Sequence, residues 1–246
     1  MTAPETFAAF LKPTQLLDCQ HPDILEFVRT TTAADTDPRA RAVSLYYAIR
    51  DQMRYDPYAC TPDPRSVQAS AVLQARRGYC VGKAALLAAC ARTAGIPSRL
   101  GFADVRNHLS TPRLLELMGT DIFHYHGFTE LWIADRWLKA TPAFNLELCA
   151  RFDVAPLEFN GIEDSIFHAF TGDGQQHMEY LAYYLPTDDV PLDALFDCYR
   201  RCYPKLFTLK ANEYQDSPAQ DGGWSASNVR GLSDETPIVA HTNHSK

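Results

Sequence analysis

Cys80 is the residue in this sequence whose surroundings best suit a nucleophile. It follows Arg76-Arg-Gly-Tyr79 and begins an Ala- and Leu-rich segment, so we expect it in the first turn of a helix. The thiolate is the reactive form of cysteine, and free N–H groups at a helix N-terminus, the helix dipole and a nearby Arg76 or Arg77 stabilise it. The pattern therefore predicts nucleophilic chemistry at Cys80.

The base that such a nucleophile requires is expected on a neighbouring strand, at His126. Residues 126–133 alternate as a β-strand in which His126, Phe128 and Glu130 share one face, and His124 joins that face if the strand begins earlier. A histidine beside the thiol is the usual arrangement of cysteine nucleophiles. We therefore expect His126 to take and return the proton of Cys80.

The histidines and acids of the chain are also candidate metal ligands: His124, His126, His168, His177 and Glu179. No HExxH motif or comparable spacing joins them, and the seven cysteines include no CxxC pair. The sequence therefore predicts neither a metal site nor a bound cofactor.

The segments that position these residues are helical in the N-terminal half. Asp37-Pro38 supplies an N-cap and a first-turn proline for a helix that is expected to end near Tyr55. Turn-forming residues fill positions 56–65, and a short helix is expected to start after Ser66 or Ser70.

The central helix is predicted over residues 80–94, where Gly95-Ile-Pro97 ends it. Its small residues let a neighbouring backbone come close, which suits a helix buried on several sides; they are Ala84, Ala88 and Ala91. Alternation then predicts strands at 99–105, 126–133 and 136–141, the last two joined by a tight turn at Ala134-Asp135. The fold class is therefore α+β, with the nucleophile helix packed on a small antiparallel sheet.

The C-terminal part of the chain is less regular. Residues 145–184 mix Gly, Asp and aromatic residues without a period, so we expect loops that either cover the thiol as a lid or pack on the sheet. A last helix fits residues 192–203. From residue 211 the chain is too polar to order itself, so we predict a domain at 1–210 and a flexible tail at 211–246.

Composition excludes several classes of function. The 246 residues carry 23 Lys+Arg against 30 Asp+Glu without a basic cluster, so nucleic acid is not an expected partner. No stretch approaches a membrane span and no signal sequence is visible, so we expect a cytoplasmic protein without a membrane partner. An odd number of cysteines disfavours a disulfide scaffold; five are expected to be small buried side chains, namely Cys19, Cys90, Cys149, Cys198 and Cys202.

The motifs around the candidate residues resemble the core of the transglutaminase-like superfamily. They are Gly78-Tyr-Cys80, Gly95-Ile-Pro-Ser-Arg99, His126-Gly-Phe-Thr-Glu130 and Trp137-Leu-Lys-Ala-Thr-Pro142. The resemblance implies a papain-like Cys-His-Asp arrangement on an α+β fold, with Cys80 as nucleophile and His126 as base.

Thr141 stands where the superfamily carries its aspartate, four residues after Trp137. A hydroxyl orients an imidazole but does not neutralise the imidazolium as a carboxylate does. We therefore expect Thr141 or Asn145 to orient His126, Asn145 acting as the amide does in papain-like enzymes. Two acids are candidates for supplying negative charge, Asp104 and Glu130.

The oxyanion donors are a further part of such a site. The backbone N–H of Cys80 is the first expected donor. Gln74 lies six residues upstream, at the spacing of the glutamine donor in papain-like enzymes, and Tyr58 is the other candidate for the second donor.

The expected function is thiol-dependent acyl chemistry on a small-molecule or peptide amide, or on a related acyl compound, through a thioester. Hydrolysis is the first choice over transfer. One alternative is arylamine N-acetyltransferase-like chemistry, whose R-G-G-Y-C signature is similar to Arg76-Arg-Gly-Tyr-Cys80 but for the second glycine. The other is a non-catalytic binding module, which Thr141 favours and the retained Cys80 and His126 disfavour.

Overall fold

The structure is a computed structural model that describes residues 4–108, 110–167 and 177–208. Its helices are α1 (Pro4–Ala9), α2 (Pro22–Thr31), α3 (Pro38–Gln52), α4 (Ala69–Ala75), α5 (Cys80–Thr93), α6 (Pro112–Met118), α7 (Leu146–Arg151) and α8 (Leu192–Cys202). Its strands are β1 (Arg54–Tyr55), β2 (Arg77–Gly78), β3 (Ser98–Asn107), β4 (Ile122–Ile133), β5 (Arg136–Ala140) and β6 (Met178–Tyr183). The α+β prediction is confirmed. The predicted tail at 211–246 lies outside the described residues.

Within the described residues, β5, β4, β3 and β6 form one antiparallel sheet in that order. The predicted hairpin is present: Ala134 and Asp135 both have positive φ, 49° and 61°, as a two-residue turn with the twist of the strands requires. The prediction of loops throughout 145–184 is wrong at two places. Residues 146–151 form α7, and residues 178–183 pair with β3 as β6.

The N-terminal helices begin where their caps predict. The carboxylate of Asp37 accepts the N–H of Ala40 at 3.0 Å and starts α3. This helix ends at Gln52 rather than near Tyr55, because Arg54 and Tyr55 pair with β2 as the short strand β1. Capping carboxylates in the loop 56–65 hold two turns of 3-10 helix, Pro57–Ala59 and Pro64–Ser66.

Helix α5 is the centre of the molecule, as its small residues predict. Every side chain from Cys80 to Arg92 is buried. The hydroxyl of Thr129 on β4 donates to the Ala84 carbonyl at 2.8 Å, and that of Ser98 on β3 donates to the Ala88 carbonyl at 2.8 Å. The first turn of α5 lies directly on β4, since a Cβ at Gly127 would come within 2.8 Å of the Val81 Cα. No helix in the described part of the chain is long and apolar enough to cross a membrane.

The close approach at Gly127 leads to a stability prediction. We expect Gly127→Ala to lower the free energy of unfolding by about 1–3 kcal/mol, because the new methyl group must push α5 away from β4. Urea unfolding measures this change, and the rate of Cys80 alkylation in the folded protein reports the displacement of the helix.

Gly95→Ala is the control for this prediction. Gly95 has φ +79° and nothing near its would-be Cβ, so the substitution costs backbone strain alone, of about 1 kcal/mol. It should leave Cys80 alkylation unchanged. Equal alkylation rates in Gly127→Ala and the native protein would show that the helix-to-strand contact does not set the position of the thiol.

Candidate active site

Cys80 is the first residue of α5, with Tyr79 at the N-cap, and its side chain is only 6% exposed. Burial raises the pKa of the Cys80 thiol to about 11. The backbone N–H groups of Gly127, Val81 and Cys80 itself have the opposite effect and lower this pKa. The thiol therefore lies beside the backbone of β4 one residue after His126. Its resting form at neutral pH is the protonated thiol.

The two arginines upstream do not stabilise a thiolate, contrary to the expectation from sequence. The Arg77 guanidinium is buried against the Asp56 carboxylate at 3.2 Å. Arg76 is exposed, with a backbone φ of 52°, and donates to Gln52 at 3.3 Å. These contacts direct Arg77 to Asp56 and Arg76 to Gln52 at the end of α3, and neither arginine contributes to the pKa of Cys80.

His126 lies on β4 with 2% of its surface exposed. Burial lowers its pKa to about 4 from an ordinary 6.5, so the imidazole is neutral at physiological pH. Its ring packs 5.5 Å from the ring of Phe167, and its Nε2 has no hydrogen-bond partner among the described residues. Cys80 and His126 thus rest as a neutral thiol and a neutral imidazole rather than as an ion pair.

Thr141 follows β5 and is buried. Its backbone N–H donates to the Ser165 carbonyl at 3.0 Å, and its carbonyl accepts the Tyr46 hydroxyl at 3.2 Å. Within the described chain its Oγ1, like Nε2 of His126, has no hydrogen-bond partner. Tyr180 of β6 lies near enough to both the Thr141 hydroxyl and Cys80 for each to affect its pKa. Thr141, Tyr180 and Cys80 therefore share one buried neighbourhood.

Asn145 contacts β1 rather than His126. It is the N-cap residue of α7, and its Oδ1 accepts the backbone N–H of Tyr55 at 3.1 Å. None of the hydrogen bonds of the described residues joins Asn145 to His126. Its place in the structure ties the segment after Thr141 to β1.

The two acids considered as charge donors also have other partners. The Asp104 carboxylate contacts Nδ1 of His124 at 2.9 Å. The Glu130 carboxylate contacts the Arg99 guanidinium at 2.5 Å. A bulge separates the two histidines, because Tyr125 has a positive φ of 54° and the β3–β4 register shifts between Ala103 and Val105. The structure therefore gives the carboxylate partner to His124 and not to His126.

Of the two candidate oxyanion residues, Gln74 lies on the surface, where its amide donates to the Asp23 carboxylate at 2.8 Å. Tyr58 is buried in the turn 57–59, beneath the guanidinium of Arg113 at 5.0 Å from the ring centroid. The first turn of α5 keeps the N–H groups of Cys80 and Val81 at the thiol. Together with the N–H of Gly127, they are the backbone donors beside the thiol that could stabilise an oxyanion.

Lys83 is a residue that the sequence analysis did not single out. It is fully buried in the first turns of α5, and its ammonium donates to the carbonyls of Arg50, Met53 and Ala143 at 2.9, 2.6 and 2.7 Å. These three acceptors match the three donors of an ammonium. Lys83 thereby fastens the end of α3 and the segment after Thr141 to the helix that carries Cys80. A lysine inside an otherwise apolar helix is the signal that marks it in the sequence.

Cys80 also lines a small cleft. The walls are mostly aromatic and apolar, and they include Tyr55, Tyr79, Phe123, Tyr199 and Tyr203. His124 lines this cleft, whereas His126 does not.

A cysteine at a helix N-terminus, buried against a strand that carries a histidine, defines the class of this α+β protein. The family model of the transglutaminase-like superfamily matches residues 26–142. This segment contains Cys80, His126 and Thr141, and it is similar in sequence to the transglutaminase-like superfamily, as the motifs indicate.

Two solved structures also align with the chain. A candidate cysteine protease from Cytophaga hutchinsonii is 15% identical with a TM-score of 0.44, over 73% of this chain and 54% of its own. A candidate protease from Parabacteroides distasonis ATCC 8503 is 18% identical with a TM-score of 0.36, over 59% of this chain and 28% of its own. The chain thus spans about half of the first protein and just over a quarter of the second. No curated protein is significantly similar to it in sequence.

Proposed function

We propose that this protein is a cysteine-dependent acyl hydrolase in which Cys80 is the nucleophile and His126 the base. The observation that carries the proposal is the close packing of the first turn of α5 on β4 at Gly127, the residue next to His126, where an added Cβ would lie 2.8 Å from the Val81 Cα. The superfamily match over residues 26–142 supports it. The substrate is a small-molecule or peptide amide, or a related acyl compound, with an apolar acyl group that fits the aromatic cleft.

The chemistry begins from neutral groups. His126 takes the thiol proton as the sulfur attacks the carbonyl carbon, and the first-turn N–H of Cys80 stabilises the oxyanion. The imidazolium then gives this proton to the leaving amine, and a thioester remains on Cys80. Water attacks the thioester with His126 as base, the acid leaves, and the thiol is restored.

A panel of activated esters, amides and imides tests the proposal by mass spectrometry of the intact protein and of its peptides. We expect an acyl adduct on Cys80 that disappears as product forms. An adduct that persists until an amine is added would contradict hydrolysis and indicate acyl transfer. If the native protein turns over no member of the panel faster than the Cys80→Ser variant does, the enzyme assignment is contradicted. This result would favour the non-catalytic binding module.

The position of Thr141 leads to a prediction on pH dependence. We expect Thr141→Asp to raise the pKa of His126 from about 4, because a carboxylate in this buried neighbourhood stabilises the imidazolium. The neutral imidazole is the base, so activity is lost as pH falls through its pKa. The acid limb of kcat/KM should therefore move upward by at least about one pH unit.

Thr141→Asn is the matched control, since it has the same shape without the charge. It should leave the acid limb in place. An NMR titration should likewise show a higher His126 pKa in Thr141→Asp than in Thr141→Asn. If the Asp and Asn variants have the same His126 pKa, Thr141 does not face the imidazole. If Asp104→Asn loses activity while Thr141→Ala keeps the native rate, the base is His124 rather than His126.

A further inference from the structure

His124, Cys198 and Cys202 form a cluster outside the proposed catalytic pair. The two cysteines lie one turn apart on α8, and their sulfur atoms are 3.7 Å from each other. A ring nitrogen of His124 on β4 completes the group, and the three candidate ligand atoms all lie within 4.8 Å of one another. Cys198 is buried, while Cys202 and His124 are half-buried.

The geometry of the cysteine pair is that of a tetrahedral thiolate site. Zinc–sulfur bonds of about 2.3 Å at the tetrahedral angle place two sulfur atoms about 3.8 Å apart. The C-x3-C spacing on a helix gives both sulfur atoms the same face. The C-x3-C spacing differs from the CxxC of common zinc motifs, which is why the sequence predicts no metal site here.

His124 is held as a metal-binding histidine usually is. Its Nδ1 contacts the Asp104 carboxylate at 2.9 Å, which leaves Nε2 as the atom for a ligand. Asp104 is itself fixed, because its Oδ1 accepts the Tyr184 hydroxyl at 2.8 Å and the Tyr125 N–H at 3.2 Å. A carboxylate behind the imidazole sets the orientation of the ring and makes it a better ligand.

The two elements that carry the ligands are also joined to each other. The Tyr203 hydroxyl, directly after α8, donates to the Ile122 carbonyl of β4 at 3.0 Å and accepts the backbone N–H of His124. These two hydrogen bonds hold α8 and β4, and with them the three candidate ligands, in fixed positions relative to each other. His124 also lines the cleft, together with Tyr203 and Cys80.

We propose that His124, Cys198 and Cys202 bind one zinc ion, with Asp104 as the residue that positions the histidine. Two thiols and a neutral imidazole suit this soft, tetrahedral cation. Binding forms two Zn–S bonds and one Zn–N bond, and the two thiol protons pass to solvent without any change of oxidation state. Within the described residues the cluster has three protein ligands, so a water molecule or a group of the substrate takes the fourth position.

Competition with a chromophoric chelator tests the proposal on the full chain, kept reduced and stripped of metal beforehand. We expect one equivalent of Zn²⁺ to bind. Co²⁺ in its place should give thiolate charge-transfer absorption and the visible bands of a tetrahedral ion. The double variant Cys198→Ser, Cys202→Ser should lose these bands, and Asp104→Asn should weaken zinc binding by about 10–100-fold.

The variants Cys80→Ser and Cys149→Ser are the controls, because each removes one thiol outside the cluster. Both should bind zinc as the native chain does. Zinc binding that survives the double variant, or that disappears with Cys80→Ser, would overturn the site. The site would also be overturned if the reduced protein binds no zinc and the oxidised protein contains a Cys198–Cys202 disulfide. None of these measurements uses catalytic activity.

Discussion

Cys80→Ser and Cys80→Ala are expected to lower turnover of any substrate found by the acyl panel by about 10³-fold or more. The hydroxyl of serine is a weaker nucleophile than sulfur, and its proton is harder for the proposed base His126 to remove. The side chain is buried but small, so the serine variant should keep the fold. Steady-state rates together with thermal unfolding measure the two effects separately.

Cys149→Ser is the matched control for that loss. Cys149 is also buried and lies in α7, and its replacement should change turnover less than twofold. A Cys80→Ser protein that keeps more than a few per cent of the native rate with unchanged unfolding would contradict the assignment of the nucleophile.

Lys83→Met is expected to lower the free energy of unfolding by about 3 kcal/mol or more. Methionine has a similar length but no donor, so the carbonyls of Arg50, Met53 and Ala143 are left buried without their partner. For a domain of this size the melting temperature should fall by about 10 °C. Calorimetry or circular dichroism measures the fall.

Lys205→Met provides the comparison for this variant. Lys205 is exposed after α8, so the same substitution there should change stability by less than about 0.5 kcal/mol. A Lys83→Met protein that melts within about 2 °C of the native protein would show that other donors satisfy the three carbonyls.

Local sequence signals predict the elements that depend on neighbours in the chain. The bounds of α5, the Asp37 cap and the turn at Ala134-Asp135 follow from helix propensity, capping and turn chemistry. The position of Cys80 at the start of α5 follows in the same way. These features require no knowledge of distant contacts.

Pairings between distant segments are what the sequence does not reveal. The partner of Asp104 depends on a bulge at Tyr125 that shifts the register and turns His124 toward it. Arg77 finds Asp56 only because β1 and β2 pair, and Lys83 finds carbonyls from two other segments. Strand β6 has no clear alternation because it pairs at one edge of the sheet and four of its six residues are exposed.

The burial of Cys80 has a consequence for its behaviour toward oxidants. With a pKa of about 11, roughly one thiol in 10⁴ is ionised at pH 7, about 100-fold fewer than at the ordinary value of 9.0. Peroxides react with the thiolate, so we expect sulfenic acid formation at Cys80 to be slow. In the proposed mechanism the sulfur becomes nucleophilic only when His126 takes its proton, so Cys80 would be protected from oxidation between turnovers.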